Sequence, residues 1–153
     1  MKSKQDLYII TGGSKGLGKA LVERALAHNH FVISISRTQN KELKNANLVQ
    51  LQQDLSKSFE STEKKLNSFF KKIDFKKFNN VYFVNNAAQI EPVAEVGKLK
   101  CSVVERHIHL NYTVPVLLTK WLIGKKLENT GMTVFVQISS GAASFAITNW
   151  SIY

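Results

Sequence analysis

Eight residues near the start of the chain, TGGSKGLG at 11–18, place glycines at 12, 16 and 18 directly behind a short apolar run of Leu7, Tyr8, Ile9 and Ile10. Glycine takes positive φ and lets backbone touch a ligand, so such a loop turns sharply and aims the N–H groups of a following helix at a phosphate. Thr11, Ser14, Lys15 and Leu17 fill the loop, and helical spacing resumes in KALVERALA at 19–27. The usual dinucleotide spacing is GxGxxG, whereas this loop reads TGxxxGxG, and a strand-to-helix turn without ligand is the plain alternative. Further residues of chemical interest stand after later apolar runs: Ser36 and Arg37, Asp54 and Leu55, NNAA at 85–88, and Ser139 with Ser140.

Positioning such residues requires strands. The run at 7–10 lacks helical spacing, FVISIS at 31–36 and LVQLQQ from 48 read as second and third strands, and VYFVNN at 81–86 reads as a buried fourth. Between them, Phe59, Leu66, Phe69, Phe70 and Ile73 predict an amphipathic helix over 57–74. Residues 101–127 predict a bent helix opened by a capping box of Ser102 and Glu105, and MTVFVQISS at 132–140 predicts a fifth strand. No internal repeat or linker divides the 153 residues, which are read as one domain. Apolar strands alternating with helices imply an α/β fold with a Rossmann-type, doubly wound parallel sheet. Ligands in that architecture sit beyond the carboxyl ends of the strands, and each residue group named above ends one.

Composition narrows the classes. With 44% hydrophobic and 21% charged residues, the chain reads as an ordinary globular protein, and without a secretory or membrane-spanning run it fits a cytoplasmic enzyme with no membrane partner. The lone Cys101 excludes an internal disulfide and a clustered thiolate site, and is expected as a partly buried helix residue. A net charge of +10 would permit nucleic-acid binding, but only Arg24, Arg37 and Arg106 among 21 basic residues are arginines. The densest block, FFKKIDFKKF at 69–78, suits a solvated helix end. No nucleic-acid partner is expected, and the remote alternative would show as salt-dependent retention on DNA. His107 and His109, two apart on a helix, diverge too far to share a metal ion, so no metal site is expected; His28 and His30 are expected to face solvent.

In order and spacing these features resemble the short-chain dehydrogenase/reductase family, in which TGxxxGxG, an acidic residue after strand three, NNAG, a lone Asn, then Ser and YxxxK follow one another. Here Tyr153 follows Ser140 by the family's thirteen positions, and Asn111 lies where the lone Asn belongs. The resemblance spans residues 6–153. LYIITGGSKGLG, NYTVPVLLT and ISSGAA followed by NWSIY are similar to the bacterial benzil reductase and sepiapterin reductase-like branch. Ala88 departs from the pattern by a methyl group where the family has Gly.

The resemblance implies reduction of a small-molecule ketone or diketone by hydride transfer, in a full-length form that is a homo-oligomer. Tyr153 would be the proton donor, Ser140 would polarise the carbonyl oxygen, and Asn111 would support a water of the proton chain. Pro115 adds an argument from the residues alone: it has no N–H to give to the carbonyl four residues earlier, which is that of Asn111. Asn86, Ala87 and Ala88 would line the ribose side and Asp54 would meet the adenine. An Arg rather than an acid after strand two accommodates a 2′-phosphate, so Arg37, with Lys15, points to NADP(H) over NAD(H). The alternative is that both are plain surface cations.

The family's Lys four residues beyond the tyrosine has no counterpart here, and a terminal carboxylate roughly 6 Å from the phenol would oppose its ionisation by about 0.7 kcal/mol in water, on the order of half a pKa unit. The chain is therefore expected to be a fragment of a longer reductase with little or no turnover of its own, and its fifth strand to form an unprotected sheet edge. A nucleotide-binding module without catalysis is the alternative of a different class.

Overall fold

The computed structural model describes residues 5–125, 127–128, 131–145, 147–150 and 152. Five strands, β1 (Gln5–Thr11), β2 (Phe31–Ser36), β3 (Leu48–Gln52), β4 (Phe78–Asn85) and β5 (Thr133–Gln137), pair in the order β3-β2-β1-β4-β5. Every pairing is parallel. Between the strands run α1 (Gly16–Ala27), α2 (Phe59–Phe70), α3 (Cys101–Ile108) and α4 (Val114–Gly124). The chain reverses its winding direction between β1 and β4, which opens a crevice at the strands' carboxyl ends.

Both faces of the central strands are apolar because helices cover both. On one face Leu7, Ile9, Ile33, Ile35, Val81 and Phe83 are fully buried against α2 and α4. Full burial of such side chains contributes about 1.5–3 kcal/mol each. The two helices are joined by Trp121, which packs edge-on to Phe70 with centroids 5.1 Å apart and donates its indole N–H to Asn67 Oδ1 at 2.9 Å. On the other face α1 sets Val22 and Ala25 against Ile10, Val32 and Val84.

Several expected boundaries move. β4 begins at Phe78, three residues before the apolar run, because Gln5 of β1 pairs there across an irregular register. The fifth strand keeps only Thr133–Gln137 and, among the described residues, pairs with β4 alone and forms the sheet edge. The predicted helix over 101–127 is interrupted by a π-helical turn, His109–Thr113, from which α4 continues with Pro115 in its first turn. The capping box is not formed: α3 starts at Cys101 with Lys100 at the N-cap and no side-chain capping bond, which leaves Ser102 inside the first turn. Cys101 is exposed rather than partly buried, as the first residue of that helix. His30 is half-buried, with its ring 5.2 Å from that of Tyr8, while His28 is exposed.

Candidate active site

The glycine loop is shaped by contacts that only glycine permits. Gly12 has φ +71°, and a Cβ there would lie 2.9 Å from Asn86 Nδ2 and 3.0 Å from Ala87 Cα. A Cβ on Gly18 would approach Gly12 O to 2.3 Å, so the loop and the first turn of α1 are in backbone contact. Gly16 differs: its φ is +56°, yet open space surrounds its position. Gly13, which sequence reasoning passed over, lies so close to the core that a Cβ would meet Ser34 Oγ at 2.3 Å.

Thr11 ties this loop to the end of β4. Its Oγ1 accepts from the Asn86 and Ala87 N–H groups at 2.9 and 3.0 Å, and donates to Val84 O at 3.4 Å. Asn86 returns the contact, donating Nδ2 to Thr11 O at 2.9 Å and to Gly12 O at 3.4 Å. Thr11 is thus buried structure beneath the loop rather than part of the cavity wall.

Above it lies a cavity of about 470 Å³. Gly12, Ser14, Lys15, Gly16, Leu17 and Gly18 form one wall, Ser36, Arg37, Asp54 and Leu55 a second, and Asn86, Ala87 and Ala88 a third. Every residue singled out for nucleotide contact except Thr11 meets here. Ile35, Thr38, Gln53 and Leu110 complete the lining and were not anticipated, since no glycine or charge marks them. Thr38 and its neighbourhood also brace the site: Asn40 Nδ2 donates to Ser14 O at 3.1 Å, and Thr38 Oγ1 to Ser14 Oγ at 3.5 Å.

The cavity suits a dinucleotide on its own geometry. Lys15 at the N-cap of α1 makes no side-chain capping bond and the first turn carries no acid, so the first N–H groups and bare Gly16 face the space a phosphate would fill. Arg37 and Lys15 bring positive charge to the same space, and no carboxylate stands among residues 35–40. Asp54 receives the Ser56 N–H and hydroxyl on Oδ1 at 3.0 and 2.7 Å. Burial pushes its pKa up, but those two bonds, with the charges of Arg37 and Lys57, outweigh burial and hold the carboxyl below its ordinary value.

A second cavity, about 240 Å³, adjoins the first at Ala88, which lines both. It brings together Asn111 and Ser140, with Ser139, His107 and Tyr112. Ser140 Oγ accepts the Ala142 N–H at 3.2 Å, and as a hydroxyl it also carries a proton to donate. Asn111 spends its carboxamide on the loop after β4, accepting the Gln89 N–H at 3.0 Å and donating to Gln89 O at 2.7 Å. Its carbonyl sits in the π-turn, where Pro115 supplies no N–H four residues on. Tyr153 lies outside the described residues. His109 turns away from His107 and meets Lys57 O through Nε2 at 3.0 Å.

The sequence matches the short chain dehydrogenase family over residues 6–153. It is 35% identical over 148 residues to the benzil reductase ((S)-benzoin forming) of Bacillus subtilis (strain 168), covering 97% of this chain and 60% of the relative. A benzil reductase of the same description from Bacillus cereus is 29% identical over 159 residues, covering 95% and 60%. The chain thus spans about 60% of the length of these curated relatives. Among solved structures, a short-chain dehydrogenase/reductase from Burkholderia vietnamiensis superimposes with a TM-score of 0.84 at 27% identity, over 99% of this chain and 70% of that one. The glycine loop, the parallel sheet and the paired cavities at its carboxyl edge agree with these likenesses: the chain belongs to the short-chain dehydrogenase family.

Proposed function

We propose that this chain carries the nucleotide site and part of the proton-delivery site of an NADPH-dependent carbonyl reductase acting on a ketone or diketone. The observation that carries this reading is the junction of the two cavities at Ala88, one framed by a bare glycine cradle, the other holding Asn111 and Ser140. Arg37 and Lys15 would hold a 2′-phosphate, the first turn of α1 the pyrophosphate, and Asn86 and Ala87 the adjoining ribose. A bound nicotinamide supplies the hydride. Ser140 then orients the carbonyl oxygen with its hydroxyl proton, Tyr153 delivers a proton to that oxygen, and the Asn111 carbonyl holds the water that replenishes it. The diketone is favoured because both Bacillus relatives carry the name benzil reductase. Self-association belongs to the same reading, supported by the exposed Val116 and Ile123 of α4.

Nicotinamide fluorescence during titration with NADPH and with NADH tests the site directly. Saturable binding with NADPH tighter is expected; equal affinities would defeat the cofactor preference, and no binding of either would defeat the site.

A further inference from the structure

We infer that His107 is a positioning residue of this site, holding Asn111 through a tautomer fixed by the backbone. The inference rests on the reading that Asn111 serves the reaction. His107 is only 2% exposed. Its Nδ1 lies 2.9 Å from Glu91 O, and a carbonyl can only accept, so Nδ1 carries the proton. Nε2 is then an acceptor, and it lies 3.0 Å from Asn111 Nδ2. Gln89 fixes the other side: its N–H must meet the Asn111 oxygen and its carbonyl the Asn111 nitrogen.

The donors and acceptors in this chain of bonds are thus set from both ends by main-chain groups, and the Nδ1–H tautomer fits it. The two carboxamide protons of Asn111 are both spent, one on Gln89 O and one on His107 Nε2. Because Gln89 adjoins Ala88, the wall common to both cavities, His107 sets the geometry of that wall through Asn111 without reaching the nucleotide cavity itself.

The 153-residue chain permits a direct test by nitrogen-15 NMR of the imidazole and of the Asn111 carboxamide. We expect the Nδ1–H tautomer for His107 and two well-separated, slowly exchanging carboxamide protons for Asn111; an Nε2–H tautomer overturns the inference without any variant. His107→Gln can place an acceptor where Nε2 stood, whereas His107→Asn keeps a donor toward Glu91 and cannot reach Asn111. His107→Gln is expected to keep the carboxamide signature and NADPH affinity within about threefold, and His107→Asn to lose the signature and weaken NADPH by about tenfold, the loss of one buried hydrogen bond. Equal behaviour of the two variants would overturn the positioning role. A native chain with both NMR signatures but no NADPH binding would instead overturn the nucleotide reading, and with it the functional part of this inference alone.

Discussion

Gly18→Ala measures how tightly the glycine loop is pressed onto α1. The added methyl would sit 2.3 Å from Gly12 O and 2.5 Å from Asn86 Nδ2, against an ordinary closest contact of 3.4 Å, so the overlap with backbone is 3.4 − 2.3 = 1.1 Å. Asn86 can yield by giving up its bonds to Thr11 O and Gly12 O, but the Gly12 carbonyl has no flexible arm with which to retreat. Overpacking of this kind costs about 1–3 kcal/mol, which for a chain of this length lowers Tm by roughly 2–12 °C. Asn86→Ala removes one of the two clashes in advance, so the double variant should lose less than the sum of the singles, with a coupling of about 0.5–1 kcal/mol. Gly16→Asn is the control: its side chain enters open space and Asn tolerates positive φ, so its Tm should fall by no more than about 4 °C. The assay is thermal unfolding followed by circular dichroism. A Gly18→Ala chain melting within a degree of the native one, or strictly additive losses with Asn86→Ala, would refute the argument from close contact.

Arg37→Met should weaken NADPH by about 10–100-fold while leaving NADH nearly unchanged, since a charged hydrogen bond to phosphate contributes about 1.5–3 kcal/mol; parallel fluorescence titrations decide, and equal losses on both would sink the 2′-phosphate contact. Because Asp54 is held below its unfolded value of about 3.9, the unfolded chain binds more protons between the two values; the stability Asp54 provides is present above that pH and lost as pH falls through the lower, folded value. Asp54→Asn should flatten the acid limb of Tm against pH below about pH 4, and an unchanged limb would contradict the assignment.

Strand-end residues were legible because a doubly wound sheet collects them at one edge wherever the helices fall, and Gly12, Arg37, Asp54, Asn86 and Ser140 needed only their strands to be recognised. What escaped depends on contacts between segments. Thr38 and Asn40 brace the glycine loop across 24 and 26 residues, and no local pattern records that. His107 lies four residues from Asn111, yet its role appears only once Glu91 and Gln89 fold against α3. Ser102 and Glu105 had the right spacing for a capping box, but the N-cap falls on Lys100, two residues earlier, and leaves Ser102 no terminus to cap. Pro115 foretold a break in the helix; that the break takes the wider π form was not written in the proline itself.

The place of β1 at the centre of the sheet has a consequence for biosynthesis. Its register with β4 joins Leu7 to Val81 and Ile9 to Phe83, so a nascent chain shorter than about 85 residues can pair β1 on one side only. For that interval the ribosome displays an apolar strand edge whose mate has yet to be translated, the kind of exposed edge that leaves a partly made chain open to aggregation. Synonymous codons that slow elongation before Val81 would prolong that exposure, and those that speed it would shorten it.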